Sequence, residues 1–257
     1  MRFASLGSGS AGNALVVEVA NTRLMLDCGF SIKETTSRLA RLNIAPESLA
    51  GIVLTHEHDD HAGGAFKFAA KYNLPVWLTY GTLKMAERYF PNQYQLNLHV
   101  IDSHTLFHVA DIEVQPYPVP HDAREPVQFV FGDGNYRLGV LTDVGRTTIH
   151  IEQQLSACDA LVLECNHDGA MLRNGPYAAS LKKRVGGELG HLENAAAANL
   201  LAKLDCTKLK HLIAAHLSAK NNTPLLAKTA LANVLGCELD WVGVADQTIG
   251  FDWRQMV

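Results

Sequence analysis

The chain has 257 residues, is 47% hydrophobic and carries a formal net charge of −4, a composition that suits one sizeable core and excludes an intrinsically disordered protein. The acidic balance also argues against a protein that coats nucleic acid through a generally basic surface, although bound divalent cations would add local positive charge. We therefore predict one domain spanning residues 1–257.

The N-terminus and the cysteines indicate where the protein resides. The opening residues follow a strand pattern without the apolar stretch of a signal peptide, and no apolar run reaches the ~18 residues of a membrane helix. The five cysteines are widely spaced and form no Cys-x-x-Cys pair, so we expect reduced, mostly buried thiols. These features predict a cytoplasmic protein without membrane contact.

In the first half of the chain, short strand patterns are interrupted by helices. Asn21-Thr22 is a turn signal between two strands, and Ser31 is placed to cap a helix. The predicted helices lie at 31–42, 66–72 and 81–89. The predicted strands lie at 3–6, 14–19, 23–27, 51–55, 75–79, around residue 100, 113–119, 127–132 and 136–141.

In the second half, helices and strands alternate. We predict a helix at 148–155, a strand at 160–164, a long helix at 193–204, a strand at 212–215, a helix at 225–235 and short final strands. Strand runs mixed with helices in both halves predict an α/β fold in which two sheets are sandwiched between outer helices.

Three histidines and an aspartate stand close together at the end of the predicted strand 51–55, in the order His56-x-His58-x-Asp60-His61. Imidazole and carboxylate groups are ligands for zinc and also for manganese or iron. A loop that leaves a strand can direct His56 and His58 to one metal and Asp60 and His61 to a second. The cluster therefore predicts a metal site.

The stretch from Thr55 to Gly64 resembles the T-H-x-H-x-D-H-x-G-G signature of metallo-β-lactamase-fold hydrolases. The resemblance implies a four-layer αββα sandwich with two mixed sheets. It also implies further ligands at strand ends, and His121, Asp143 and His216 stand at fitting positions.

The resemblance further implies two divalent ions per chain, Zn²⁺ or Mn²⁺, with iron as another option. The implied ligands of one ion are His56, His58 and His121, those of the other are Asp60, His61 and His216, and Asp143 bridges the two. A hydroxide held between the metals would be the nucleophile, and Asp60 would orient it or accept its proton.

Four stretches, at 5–13, 164–168, 190–194 and 216–224, are similar to those of the YycJ (WalJ) group of this superfamily. Glu193 departs from the serine usual in the third stretch. The resemblance implies a 5′-to-3′ exonuclease acting on DNA. The interval between Asp143 and His216 is too short for a β-CASP insertion, and no long substrate-gripping arm is evident. Nucleic-acid contacts are therefore expected from short loops around the metal site.

Several polar residues are candidates for catalysis or substrate binding. His191 could protonate the leaving group or donate to a phosphoryl oxygen near a helix N-terminus, or it could simply hold a turn. The basic run Lys182-Lys183-Arg184 could meet a nucleic-acid backbone, but such runs usually form a solvated face. The candidates for substrate contact, with structural or supporting roles as the alternative, are Ser8, Ser10, Asn13, Asn166, His167 and Asn194.

We predict a metal-dependent phosphodiesterase of the DNA-exonuclease type. A small-molecule thioesterase or lactonase could use the same dinuclear site, because this fold alone does not select a substrate. A non-catalytic module is a third alternative, which the complete ligand set disfavours.

Overall fold

The computed structural model describes residues 1–90 and 95–257. Its strands are β1 (Arg2–Gly7), β2 (Ala14–Val19), β3 (Thr22–Leu26), β4 (Gly51–Val53), β5 (Val76–Thr79), β6 (Leu98–Ile101), β7 (Phe107–Val109), β8 (Ile112–Pro118), β9 (Val127–Gly132), β10 (Arg137–Leu141), β11 (Ala160–Glu164), β12 (His211–Ala215), β13 (Val242–Val244) and β14 (Phe251–Gln255). They form two seven-stranded sheets, one in the order β14-β1-β2-β3-β4-β5-β6 and the other in the order β13-β12-β11-β10-β9-β8-β7.

The helices cover the two outer sheet faces. They are α1 (Ile32–Arg41), α2 (Asp59–Ala62), α3 (Ala65–Tyr72), α4 (Tyr80–Ala86), α5 (Ile149–Leu155), α6 (Gly169–Asn174), α7 (Ala179–Val185), α8 (Asn194–Leu201) and α9 (Pro224–Leu235). One apolar cluster joins α1, α3 and α4 to the first sheet, and another joins α5, α8 and α9 to the second. The predicted αββα sandwich is confirmed.

The core between the sheets follows from strand periodicity, since successive side chains of a strand point to opposite faces. In β2, Leu15 and Val17 enter the cluster between the sheets, whereas Ala14 and Val16 face the helices. Because both faces are covered, β2 is buried along its whole length. This burial explains why the strand patterns are nearly continuous apolar runs rather than alternating ones.

Parallel strands bring the candidate site residues to one edge of each sheet. In the first sheet β3, β4, β5 and β6 run parallel, and in the second sheet β10, β11, β12 and β13 do so. The carboxyl ends of parallel strands therefore point the same way, the common position of ligand sites in α/β sheets. Asp27 follows β3, Asp143 follows β10 and His216 follows β12.

Most predicted elements are present, with shifted ends. The turn between β2 and β3 consists of Ala20 and Asn21, because Thr22 already pairs with Val19 in the ladder; the prediction of Asn21-Thr22 was wrong by one residue. The strand predicted at 51–55 ends at Val53, because the Thr55 amide donates to the Asp27 side chain instead of a strand.

Two helices differ from their predicted lengths, and four elements, among them α2, were not predicted. The helix predicted at 81–89 is α4 followed by a 3₁₀ turn, and the long helix predicted at 193–204 is only Asn194–Leu201. The unpredicted elements are β7, α2, α6 and α7; they are too short for a periodic signal to stand out.

All five cysteines fall within the described residues and are unpaired, and three of them are buried, which confirms the expectation of free thiols. Within residues 1–90 and 95–257, no helix combines the length and apolar character needed to span a membrane.

Candidate metal centre

The histidine cluster lies in the turn between β4 and α2. His58 is the residue before the first turn of α2, and His61 lies within this helix. His56 and His58 offer donor atoms to one group with His121 and Asp143, whereas Asp60 and His61 offer donor atoms to another with Asp143 and His216. This grouping contains the same two pairs as the predicted division of the motif.

The first donor group consists of three imidazoles around the Asp143 carboxylate. His56 Nε2 is 3.0 Å from His58 Nδ1 and 3.3 Å from Asp143 Oδ2. His121 Nε2 is 3.3 Å from His58 Nδ1 and 3.8 Å from Asp143 Oδ2. One donor atom from each of the four residues lies within 4.8 Å of the others.

The second donor group shares Asp143 with the first. His61 Nε2 lies 2.8 Å from Asp143 Oδ2 and 3.6 Å from Asp60 Oδ2. His216 approaches from β12, with Nε2 3.3 Å from Asp60 Oδ2. Asp60, His61, Asp143 and His216 again offer atoms within 4.8 Å of one another. The structure therefore brings together all seven residues of the predicted ligand set.

Three residues of the site have left-handed backbones. Asp27, Asp143 and His216 have φ values of 59°, 47° and 55°, and each follows the end of a strand. This conformation is uncommon outside glycine, although Asp and His adopt it more readily than most residues. It turns the chain sharply at the strand end, and such strain is typical of functional sites.

The histidines of the His56–His61 turn, together with His121, each bond a protein group through one ring nitrogen. His61 Nδ1 is 2.7 Å from Asp27 Oδ2, and His56 Nδ1 is 2.9 Å from Thr55 Oγ1. His121 Nδ1 is 3.0 Å from the Gly190 carbonyl oxygen, and His58 Nε2 is 3.2 Å from that of Asp122. The opposite nitrogen of each ring faces the cluster, which is how supporting residues orient metal-bound histidines.

Asp27 and Glu164 are site residues to which the sequence analysis assigned no role, although Glu164 opens the family-like stretch 164–168. The Asp27 carboxylate also accepts the amide and hydroxyl hydrogens of Thr55. Glu164 Oε1 lies 2.8 Å from His191 Nδ1 and 3.3 Å from His216 Nδ1. Their position at strand ends could have indicated a place in the site, because Asp27 directly follows β3 and Glu164 is the last residue of β11.

Burial and neighbouring charges shift the pKa values of residues in the cluster. Burial alone would raise the pKa of Asp143, but the imidazoles of His216 and His61 hold it well below its usual range. Burial lowers the pKa of His56 and of His121, which favours the neutral ring that binds metals. Burial opposes protonation of His191 too, yet Glu164 and Asp143 raise its pKa to about 10.

The donor set fits divalent cations. The Asp143 side chain is 1% exposed, and its Oδ1 lies 2.9 Å from His216 Nδ1 and 3.4 Å from His191 Nδ1 without a well-aligned hydrogen bond. A buried carboxylate without well-aligned hydrogen bonds is costly, and bound cations would neutralise its charge. The nitrogen and oxygen donors suit zinc, manganese or iron.

The cluster opens into a cleft of about 380 Å³. Its floor includes Asp60, Asp143 and His216, and His191 lies at one side. Of the expected substrate-contact residues, Ser10 and Asn166 line this cleft.

The other four candidates for substrate contact are buried and bonded internally. The Ser8 hydroxyl accepts from the His216 amide, and the Asn13 amide nitrogen is 3.1 Å from His61 Nε2. The His167 ring lies beside Asn166, and Asn194 exchanges hydrogen bonds with Asn222. These contacts favour the structural or supporting roles given above as the alternative, because the polar groups already have partners within the protein. Substrate contact by these four residues remains a prediction.

Comparison with known proteins agrees with this geometry. A family model described as a beta-lactamase superfamily domain matches residues 22–216. The chain is 35% identical to exodeoxyribonuclease YycJ of Bacillus anthracis, over 91% of this chain and 89% of that one. It is 31% identical to exodeoxyribonuclease WalJ of Streptococcus pneumoniae D39, over 98% and 92% of the two chains. The crystal structure of YhfI from Bacillus subtilis, a metallo-beta-lactamase fold protein, has a TM-score of 0.76, 15% identity and 98% coverage of both chains.

Proposed function

The chain belongs to the beta-lactamase superfamily and is a metal-dependent hydrolase, and we propose that it is an exodeoxyribonuclease that degrades DNA from the 5′ end. The observation that carries this proposal is the pair of donor groups sharing Asp143 at the floor of an open cleft. The names of the YycJ and WalJ relatives support DNA as substrate. The resemblance of this chain to the YycJ (WalJ) group supports degradation in the 5′-to-3′ direction.

In this proposal, two divalent cations, Zn²⁺ or Mn²⁺ with iron as an alternative, are held by the two donor groups. The ligands are His56, His58 and His121 on one side, Asp60, His61 and His216 on the other, and Asp143 between them. When bound, such a metal pair activates water and neutralises charge on the phosphoryl oxygens.

Asp60 and His191 are the proposed catalytic side chains. Asp60 is a fifth exposed to the cleft, and its Oδ2 lies 3.4 Å from the Asn13 amide nitrogen, so the carboxylate is oriented while still able to accept a proton. His191 Nδ1 is held by Glu164 Oε1 at 2.8 Å. The Nε2 of His191 is then left for the cleft, where it can donate a proton to the leaving oxygen.

A thioesterase or lactonase with the same metal site is the alternative. The cleft wall favours a phosphodiester over a neutral ester, because Arg88 and Arg184 both line it, and guanidinium groups match phosphate geometry. We also propose that residues 1–257 act as one domain in the cytoplasm. The shared core between the sheets supports the first point, and the unpaired thiols support the second.

The test compares substrates on one preparation of the metal-loaded protein. DNA labelled at the 5′ end, single- and double-stranded, is incubated beside a thioester and a lactone in Mn²⁺ or Zn²⁺. Stepwise release of 5′ nucleotides supports the proposal, and turnover of the esters without nucleotide release would overturn it. Asp60→Ala must abolish DNA cleavage while circular dichroism shows a folded protein.

A further inference from the structure

Residues 173–190 form a segment on the rim of the cleft, called here the basic arm. It contains α7, in which no residue is buried. The arm is tied down at its end, where the His191 amide donates to the Val185 carbonyl at 2.8 Å and the Asp122 amide donates to the Leu189 carbonyl at 3.0 Å. It therefore has a fixed base beside metal-ligand candidates and an outer surface open to solvent.

The charge of the arm is opposite to that of the whole chain. It carries four basic side chains against the single acidic Glu188, whereas the chain has a net charge of −4. Arg184 is paired with Asp122 at 2.7 Å, and Glu188 lies 3.9 Å from Arg146. Arg173, Lys182 and Lys183 have no acidic partner within 4.0 Å among residues 1–90 and 95–257. These free charges are available to an anionic ligand.

Side chains of the arm reach the cleft and the grooves beside it. Tyr177 and Arg184 line the cleft that opens from the metal cluster. Lys182 lines a neighbouring hollow together with Arg173, and Lys183 lines another next to Arg184. The arm thus presents one aromatic ring at the cleft and cationic side chains in two neighbouring hollows.

We propose that the basic arm binds single-stranded DNA as it enters the metal site, which rests on the exodeoxyribonuclease function proposed above. Tyr177 stacks on an unpaired base, while Lys182 and Lys183 contact backbone phosphates. Proteins that bind single strands without sequence preference combine an aromatic platform with a cationic track in this way. By itself, the run Lys182-Lys183-Arg184 predicts only a solvated face; its position on the cleft rim provides the further argument.

The shape of the cleft favours a single strand over a duplex. A volume of about 380 Å³ is that of a small-ligand pocket, and a base can stack on Tyr177 only when it is not paired within a helix. Because the contacts are with base faces and phosphates, binding should tolerate any sequence and weaken steeply with salt.

The experiment measures binding of a fluorescent single-stranded oligodeoxynucleotide by anisotropy, with a chelator present to prevent cleavage. Lys182→Ala/Lys183→Ala should weaken binding about tenfold and reduce the salt slope by about 1.4, as expected for two lost phosphate contacts on a single strand. The matched control is Lys203→Ala/Lys208→Ala, two exposed lysines before β12, at the sheet end opposite His216; it should bind like wild type.

Tyr177 provides a second, uncharged test. Tyr177→Ala should weaken single-strand binding about tenfold through the lost base stacking, whereas Tyr177→Phe should retain it. The salt slope should stay unchanged in both variants, because no phosphate contact is removed. A Tyr177→Ala variant that binds the oligonucleotide as wild type does would overturn the stacking role.

The results that would contradict the proposed role of the basic arm differ from those that would contradict the proposed function. If Lys182→Ala/Lys183→Ala binds with wild-type affinity and salt slope, or loses duplex binding as strongly as single-strand binding, the proposed arm is wrong. If metal-loaded wild-type protein hydrolyses neither DNA nor a small chromogenic phosphodiester, the proposed function is wrong. The anisotropy measurement does not depend on that activity.

Discussion

Asp27 Oδ2 lies 2.7 Å from Nδ1 of His61, and both side chains are buried at the end of the first sheet. The hydrogen bond directs His61 Nε2 towards Asp143, 2.8 Å away. The same carboxylate accepts from Thr55, the residue before His56. One buried aspartate therefore positions residues of both halves of the metal motif.

The first prediction concerns Asp27→Asn. An amide cannot accept from His61 and Thr55 as strongly as a carboxylate does, so the ring loses its fixed tautomer. We expect metal affinity to fall about 10- to 100-fold, the usual cost of losing such a supporting partner. Competition with a chromogenic chelator measures this. Asp111→Asn, which alters an exposed aspartate bonded to Thr22, is the control, and equal affinities for both variants would contradict the assignment.

Glu164→Gln tests the proposed proton donor through its partner. Glu164 holds His191 Nδ1 and also accepts the backbone amides of Val144 and Leu192. We expect kcat on DNA to fall about 100-fold, the lower range for loss of a general acid. The kcat of the His191→Ala variant on DNA should fall by a similar factor. The double variant should be no slower than the slower single variant if the two residues act as one unit; additive losses would show independent roles.

Removal of metal should lower thermal stability. A cation that binds the folded state alone contributes about 2.7 kcal/mol at a concentration of 100 times its Kd, which for a protein of this size corresponds to roughly 5–10 °C in Tm. Differential scanning calorimetry with Zn²⁺ and then with excess chelator measures the shift. Asp60→Ala/His61→Ala is the comparison, since a protein without these ligands should show a much smaller shift. An identical shift in both proteins would place the metal elsewhere.

Gly29 allows two loops of the site to meet. A Cβ atom at this position would lie 1.9 Å from the Asp60 carbonyl oxygen, and the neighbouring Cys28 amide donates to the His61 carbonyl at 2.8 Å. Gly29→Ala should therefore lower the free energy of unfolding by about 1–3 kcal/mol through overpacking and weaken metal binding at the same time. Urea denaturation and metal titration measure the two effects.

Gly134→Ala is the matched control for Gly29. A Cβ atom there meets nothing within 4 Å, and its only cost is the backbone φ of +83°, about 1–2 kcal/mol. We expect unchanged metal affinity in this variant. If Gly29→Ala likewise loses stability but keeps full metal affinity, the loop contact does not position the metal ligands.

Glu18, which lies away from the metal site, should make the stability of the protein depend on pH. Burial raises its pKa, but the guanidinium groups of Arg2 and Arg23 outweigh this and lower it below the usual value; Arg2 Nε lies 2.6 Å from Glu18 Oε1. A pKa lowered by folding stabilises the protein above the unfolded-state pKa, and this contribution is lost as the pH falls through the folded-state pKa.

The measurement is the difference in unfolding free energy between wild type and Glu18→Gln. At about pH 7 the wild type should be more stable by about 1 kcal/mol, the scale of partly exposed ion pairs. The difference should shrink towards zero as the pH falls below about 4, where the carboxyl group becomes protonated. A difference that stays constant across this range would show that charge does not contribute.

The sequence alone determined the metal motif and the general fold. His56, His58, Asp60 and His61 lie within six residues, at a strand end followed by one helical turn. Their residue types and spacing are therefore sufficient to predict a metal site. The αββα layering follows from long buried strand patterns separated by amphipathic helices, as in β2 and α1. Resemblance to known signatures supplied His121, Asp143 and His216, which are distant in sequence.

The tertiary structure decided which other polar residues belong to the site, because their roles depend on contacts between separate strands. Asp27 and Glu164 have no spacing signal, yet parallel pairing of β3 with β4 and of β11 with β12 places them against the histidines. Asn194, which sequence resemblance suggested for substrate, is buried against Asn222. The run Lys182-Lys183-Arg184 gained its proposed role only from the packing of its helix beside the cleft. Local sequence fixes what a side chain can donate or accept, whereas sheet register and loop anchoring decide which group it meets.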